Sequence, residues 1–129
     1  MGVKEKATEL HNSGFNCAQS VLCACGKYTG LDDAAALAIS GGFGGGVRCG
    51  EICGALSGAV MAVGLAHPYS DASDAAAKDK IALLTKQCTG EFRNEFGAVR
   101  CIELKKAGKS CAELIEYAAE LAEKIIGEE

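Results

Sequence analysis

Glycines and helix-capping residues divide this chain into segments of helix length, and no stretch between them alternates apolar and polar residues as a strand does. The start and stop signals predict helices over residues 3–13, 16–30, 34–40, 50–66, 71–94, 98–107 and 111–127. The clearest N-terminal signals are Asn16, Asp32 and the capping box of Ser110 with Glu113. We therefore expect an all-α fold: a single compact bundle of six or seven helices, formed by residues 1–129 as one domain.

A stripe of small residues marks the fourth predicted helix as the buried centre of this bundle. Positions 50, 54, 58, 62 and 66 all carry glycine or alanine. Their spacing of four places them on one helix face, where the missing side chains let another backbone approach closely. Because this face is longer than one short helix needs for packing within a monomer, the stripe also predicts a homodimer.

The net charge and the residue types of the chain exclude several functions. The 13 basic and 17 acidic residues give a net charge of -4, so no cationic surplus exists to bind nucleic acid. The longest charge-free apolar run, residues 52–66, is shorter than the roughly 20 residues that span a bilayer, so we expect no membrane association. The amino terminus lacks an apolar secretory segment, which predicts a cytoplasmic protein. His11 and His67 are expected at the surface, and no Ser–His–Asp triad can be proposed.

Eight cysteines among 129 residues are the unusual part of the composition. In a protein that is not exported, they indicate metal or redox chemistry more than a disulfide framework. A single cysteine is most often a small buried hydrophobe, and we interpret Cys23, Cys25 and Cys88 in this way.

Four cysteines form the candidate site. Cys17 and Cys111 lie in the first turn of predicted helices, where the helix dipole favours a thiolate. Cys101 follows Arg100, a cation that could stabilise anionic sulfur. Cys53 completes the set. These positions favour a shared functional role over four separate buried side chains.

Cys49 is an alternative to Cys53. It follows Arg48, another cation. If the fourth helix begins near residue 50, Cys49 and Cys53 project from one face about one turn apart, close enough to share a metal or a cluster. Their C-x3-C spacing differs from the C-x2-C of zinc ribbons and thioredoxin-like sites.

A run of glycines at residues 41–46 (GGFGGG) precedes the central helix. It lacks the Gly-Lys-Ser/Thr ending of a phosphate-binding loop, and no strand precedes it. One interpretation is a turn that needs left-handed backbone. The other is that Gly44, Gly45 and Gly46 direct backbone N–H groups at an anionic cluster or substrate.

The order of these motifs resembles that of the C_GCAxxG_C_C family, redox-active proteins of anaerobic bacteria and archaea. The motifs are residues 16–21 (NCAQSV), the glycine run, residues 53–59 (CGALSGA), and then Cys101 and Cys111. The resemblance covers roughly residues 14–125. A related domain occurs in split-Soret cytochrome c, where four cysteines hold an iron–sulfur centre.

The resemblance implies an iron–sulfur cluster, either 2Fe–2S or 4Fe–4S, bound by Cys17, Cys53, Cys101 and Cys111. The family name reads Gly-Cys-Ala where this chain has Cys-Gly-Ala at residues 53–55, so Cys49 stays open as the central ligand. Tetrahedral sulfur could equally accept zinc.

We therefore expect a small electron-transfer protein. Arg48 and Arg100 would offset the negative charge of the cluster, and the glycine run would donate N–H groups to its sulfur. The alternatives are a metal-free thiol–disulfide oxidoreductase and a zinc-stabilised structural or interaction module. A redox partner protein is implied, of no class that the sequence identifies.

Overall fold

The computed structural model describes residues 2–127, which form eight α-helices. The helices are α1 (Val3–Asn12), α2 (Cys17–Ala24), α3 (Gly26–Thr29), α4 (Asp33–Ser40), α5 (Gly54–Ala66), α6 (Ala75–Phe96), α7 (Cys101–Lys106) and α8 (Cys111–Gly127). Within the described range there is no strand, so the all-α prediction is confirmed. The count exceeds the prediction because the segment 16–30 divides into α2 and α3. None of the described helices is both long and apolar enough to cross a bilayer.

Side-chain caps explain where three helices begin. The Asn16 side chain accepts a hydrogen bond from the Gln19 backbone N–H at 2.9 Å, and the Gln19 side chain accepts one from the Asn16 backbone at 3.1 Å. Asp32 caps α4 in the same position. Ser110 and Glu113 exchange the equivalent pair of bonds at the start of α8. The predicted caps are therefore confirmed, because each one satisfies N–H groups that the first helical turn leaves unpaired.

Three helices begin later than the sequence predicts. Helix α6 starts at Ala75 instead of near residue 71, because Asp74 caps it. The central helix α5 starts at Gly54 instead of near residue 50, and α7 starts at Cys101 instead of near residue 98. Residues before α5 and α7 are engaged elsewhere: an irregular turn with left-handed backbone at Val47 and Arg48 occupies Gly46–Gly50, and Ile52 forms an isolated antiparallel bridge with Arg100. This long-range pairing removes both segments from their helices.

The small-residue face of α5 packs inside the chain. The helix contacts α2, α8, α6 and α3, and Gly54, Gly58 and Ala62 are all buried. A Cβ atom placed on Gly58 would lie 2.8 Å from the Ala18 carbonyl oxygen of α2. The predicted buried central helix is therefore confirmed. Because α2 covers the stripe, its length no longer argues for a homodimer, which stays a prediction.

Three cysteines belong to this core, as interpreted from the sequence. Cys23, Cys25 and Cys88 are 1%, 0% and 0% exposed. Burial raises the pKa of Cys25 to about 12 and that of Cys88 to about 12. These thiols are therefore neutral at physiological pH and pack as small apolar groups.

We expect iodoacetamide to distinguish these thiols in the native protein. At pH 8 a thiol with a pKa near 12 is ionised to only about one part in ten thousand, and alkylation requires an accessible thiolate. Cys49 is exposed, so it should react at least a hundredfold faster than Cys88. Peptide mass spectrometry after timed labelling measures both rates. Equal rates in the folded protein would contradict the burial of Cys88, whereas equal rates in denaturant are the control.

Candidate functional site

Four cysteines at helix starts line one cavity. Cys17, Cys101 and Cys111 are the first residues of α2, α7 and α8, and Cys53 directly precedes α5. The cavity has a volume of about 180 Å³, and all four residues line it. The fold thus brings together residues that lie up to 94 positions apart in the chain (from 17 to 111).

Backbone hydrogen bonds hold Cys53 and Cys101 side by side. The Cys53 N–H donates to the Val99 carbonyl at 2.8 Å, and the Cys101 N–H donates to the Glu51 carbonyl at 2.7 Å. These bonds flank the bridge between Ile52 and Arg100. The late starts of α5 and α7 therefore have a consequence at the site, because the same pairing aligns the two helix N-termini.

Gly54 makes room for the cysteine of α2. A Cβ atom at Gly54 would collide with the Cys17 sulfur and would lie 2.9 Å from the Phe43 carbonyl oxygen. Any larger residue after Cys53 would therefore displace Cys17 or the loop that carries Phe43. The Cys-Gly order at residues 53 and 54 is thus a packing requirement of the cavity.

The pKa values of two cavity thiols are raised. Burial is the main cause of the rise in the pKa of Cys53, to about 11; N–H groups of Leu56 and Ala55 lower it, and nearby Cys17 and Cys101 raise it. For Cys111, burial again raises the pKa first, followed by the charge of Cys17. Several thiolates cannot share this cavity at neutral pH unless positive charge compensates them.

Basic side chains also line the cavity. Lys105 and Lys109 belong to the lining, together with His11. Contrary to the sequence-based expectation of a surface position, His11 is half-buried, and its Nδ1 lies 3.3 Å from the Phe15 carbonyl oxygen. Both lysines escaped sequence reasoning. One available signal was the four-residue spacing from Cys101 to Lys105, which places them on one helix face.

The two predicted arginines lie outside the cavity lining. Arg100 forms an ion pair with Glu51, with 3.0 Å between Nη2 and Oε2, and a second with Glu103 at 3.8 Å. Arg48 donates from Nη2 to the Gly41 carbonyl at 3.4 Å. Lys105 and Lys109 therefore belong to the cavity lining, whereas Arg48 and Arg100 do not.

The glycine loop contributes one residue to the lining and supports it with two others. Gly45 lines the cavity and has a φ of +65°. A Cβ atom at Gly44 would lie 2.7 Å from Cγ of Asn16, and one at Gly46 would collide with the backbone of Glu51. The loop is thus pressed against both the cap of α2 and the segment before Cys53.

Cys49 does not reach the cavity. It is exposed and lines a separate surface recess with Arg48, Cys101 and Lys105. Its Sγ donates to the Gly46 carbonyl at 3.5 Å. The expectation that Cys49 and Cys53 share one helix face is wrong, because α5 begins only after Cys53.

The four cysteines line one cavity, but their side chains are not gathered closely enough to hold a single metal ion. Among residues 2–127, no three His, Cys, Asp or Glu side chains form a group that could hold a metal ion. A zinc ion needs its sulfur ligands at about 2.3 Å. The cavity volume of about 180 Å³ is several times the roughly 30 Å³ that one water molecule takes in the liquid.

Asn16 joins the cap of α2 to the glycine loop, and we expect its loss to destabilise the site. Its Nδ2 donates to the Gly41 carbonyl at 3.1 Å, in addition to the cap on Gln19. Asn16→Ala should cost about 2 kcal/mol of unfolding free energy, the upper range for a lost cap. The control is Asp74→Ala, an exposed cap of α6, which should cost about half as much. Urea unfolding measures both, and equal costs would contradict the loop-anchoring role.

Comparison with known proteins gives a family match over most of the chain. The family model described as "Putative redox-active protein (C_GCAxxG_C_C)" matches residues 15–125. This range contains all four cysteines of the cavity and most of the 129-residue chain. No curated protein and no solved structure matches the chain.

Proposed function

Because this chain belongs to the C_GCAxxG_C_C family of redox-active proteins, we propose that it transfers electrons through an iron–sulfur cluster held by Cys17, Cys53, Cys101 and Cys111. The observation that carries the proposal is that four cysteines, each at a helix start, line one cavity. Four thiolates are the ligand set of both 2Fe–2S and 4Fe–4S clusters.

The charges around the cavity suit such a cluster. A cluster with four thiolates is anionic, and the N-terminal ends of α2, α5 and α8 carry partial positive charge toward it. Lys105 and Lys109 add two full positive charges at the lining. Bound iron would deprotonate the thiols outright, which overcomes the raised pKa of Cys53.

The chain's own residues would bind, shield and orient the cluster. When bound, the cluster supplies one-electron chemistry. Cys53 is 3% exposed, so its side of the site excludes water, while Cys111 is exposed and lies at the mouth. Burial and hydrogen bonding are the means by which a protein sets cluster potential. Because Cys53 is buried and Cys111 is exposed, the site is closed to solvent on one side and open on the other.

The two alternative functions are less well supported by the geometry. Thiol–disulfide exchange needs a stable thiolate, and the pKa of Cys53 is raised to about 11. A zinc-stabilised module needs four sulfurs within bonding distance of one ion, and the cavity of about 180 Å³ that the cysteines line is larger than a single ion requires. A cytoplasmic location and a homodimer stay predictions, and the mass in solution by light scattering tests the latter.

Anaerobic purification followed by reconstitution with iron and sulfide tests the proposal. We expect a brown protein with a broad visible absorbance band and stoichiometric iron and acid-labile sulfide. A colourless protein with tightly bound zinc would instead establish the structural module. The oxidoreductase would be established by metal-free protein that forms a disulfide between two of the four cysteines and catalyses the reduction of a substrate disulfide by a dithiol.

A further inference from the structure

We propose, resting on the electron-transfer function above, that the surface recess beside Cys101 is the docking face for an acidic one-electron carrier protein. This recess, here called the Cys101 recess, is lined by Arg48, Cys49, Cys101, Ile102 and Lys105. Three independent features carry the inference: the connection of the recess to the cysteine cavity, its positive charge, and the exposed side chains that a strained turn and α7 present there.

Cys101 connects the recess to the cavity. It lines both spaces, whereas Cys17, Cys53 and Cys111 line the cavity without lining the recess. A carrier seated in the Cys101 recess would therefore be separated from the proposed cluster by one cysteine ligand. Electron transfer slows steeply with distance, so this face gives a short route into the site.

The recess carries positive charge on a negatively charged protein. The chain has a net charge of -4, yet Arg48 and Lys105 are exposed in the recess and its lining contains no carboxylate. Glu51 and Glu103, the nearby acids, are paired with Arg100. An acidic carrier is repelled by the net charge and attracted at this face, which selects one orientation.

A strained turn presents the side chains of this surface. Val47 and Arg48 have φ values of 57° and 61°, a left-handed conformation that is strained for residues other than glycine. The turn leaves Arg48 exposed in the recess, and Ile102 of α7, which also lines it, is 42% exposed. Exposed apolar groups beside cations match the small, weak interfaces of redox encounters.

The transfer across this face balances simply. A cluster held by Cys17, Cys53, Cys101 and Cys111 would supply one-electron chemistry, taking up the single electron that the reduced carrier loses. No bond forms or breaks, and no proton accompanies the electron. The carrier departs oxidised by one electron. Added salt screens the attraction between its negative surface and the recess, and therefore weakens the complex.

Binding and electron transfer are measured with two probe proteins, a strongly acidic flavodoxin and a basic cytochrome c. Calorimetry at low and high ionic strength gives affinity for the protein both as purified and after reconstitution. Stopped-flow mixing of reduced flavodoxin with reconstituted protein gives the transfer rate. The variants are Arg48→Glu and Lys105→Glu. The matched control is Lys78→Glu on α6, an exposed lysine that lines neither the recess nor the cavity.

We expect each recess variant to lower flavodoxin association and transfer at low salt by at least tenfold, with the wild-type rate falling similarly as salt rises. Lys78→Glu should change neither quantity by more than twofold. The docking face would be overturned if neither recess variant changed the affinity for flavodoxin, or if cytochrome c bound the recess more tightly than flavodoxin does. Salt-sensitive self-association abolished by Arg48→Glu would instead assign the recess to a second copy of this chain.

Failure of the electron-transfer proposal is distinguishable from failure of this one. If reconstitution yields no cluster, calorimetry with the purified protein still measures the docking face. If the cluster assembles and dithionite reduces wild type and variants equally, an unaffected flavodoxin rate refutes only the docking face. Iron content and visible spectrum are recorded for Lys105→Glu, because Lys105 also lines the cavity.

Discussion

Replacing Gly58 with leucine should unfold the protein or bring it close to unfolding. An added Cβ would lie 2.8 Å from the Ala18 carbonyl oxygen, 3.1 Å from Cβ of Val21 and 3.3 Å from the Leu22 nitrogen. Two of these atoms belong to the backbone of α2, which cannot move without opening the core. Inserting extra methylenes into a packed core typically costs about 1–3 kcal/mol. Because backbone atoms obstruct this site, we expect the free energy of unfolding to fall by more than about 3 kcal/mol, from a total of roughly 5–15 kcal/mol.

Gly64 is the matched control for this substitution, because it lies on the same helix. A Cβ at Gly64 meets no atom within 4 Å, and replacing a helical glycine gains up to about 1 kcal/mol in helix propensity. Circular dichroism melts should show Gly58→Leu at least about 10 °C below wild type, and Gly64→Leu at or near the wild-type value. Equal melting temperatures for the two variants would show that α2 does not cover α5 as described.

Replacing Cys53 with serine should abolish cluster binding, and replacing Cys49 with serine should leave it intact. Cys53 is buried in the cavity lining, whereas Cys49 is exposed and lines the recess outside. Serine keeps the size of the side chain but is a poor ligand for iron beside three thiolates. We expect at least a tenfold drop in bound iron for Cys53→Ser, and no more than a small change for Cys49→Ser.

Iron and sulfide content after identical anaerobic reconstitution measures this contrast. Melting temperatures of the variants without metal establish that both are folded, so that a missing cluster reports a missing ligand. Cys17→Ser, Cys101→Ser and Cys111→Ser should behave like Cys53→Ser. Retention of iron by Cys53→Ser together with its loss from Cys49→Ser would reverse the assignment and would require the turn Gly46–Gly50 to reorganise around the metal.

The sequence was sufficient to predict three of the helices that begin at local caps, but it missed the cap of α6, Asp74, and placed that start near residue 71. Asn16, Asp32 and Ser110 each bond to N–H groups three residues ahead, so their signal and their effect lie in the same short segment. The starts of α5 and α7 could not be predicted in this way. They depend on hydrogen bonds between residues 51–53 and 99–101, partners that no local pattern reveals.

The composition of the candidate site was predictable in part. Cys17, Cys53, Cys101 and Cys111 could be grouped from helix starts, a flanking cation and the family motif. The distinction between Cys49 and Cys53 was beyond the sequence, because the wrong start for α5 placed both on one face. The place of Lys105 in the cavity lining was missed for a similar reason. From the sequence alone, a lysine on an exposed helix is interpreted as a solvated charge, because its tertiary neighbours are unknown.

By itself, then, the sequence determined the all-α fold, the caps of three of its helices and the need for a glycine-lined central helix, since these follow from interactions within a few residues or from missing side chains. The tertiary structure alone decided which thiols meet. Burial of α5 against α2 brings Cys17 over Gly54, and pairing of two distant segments brings Cys101 beside Cys53. Proximity between such remote residues arises only when the whole core packs, because the chain loses too much entropy to hold them together otherwise.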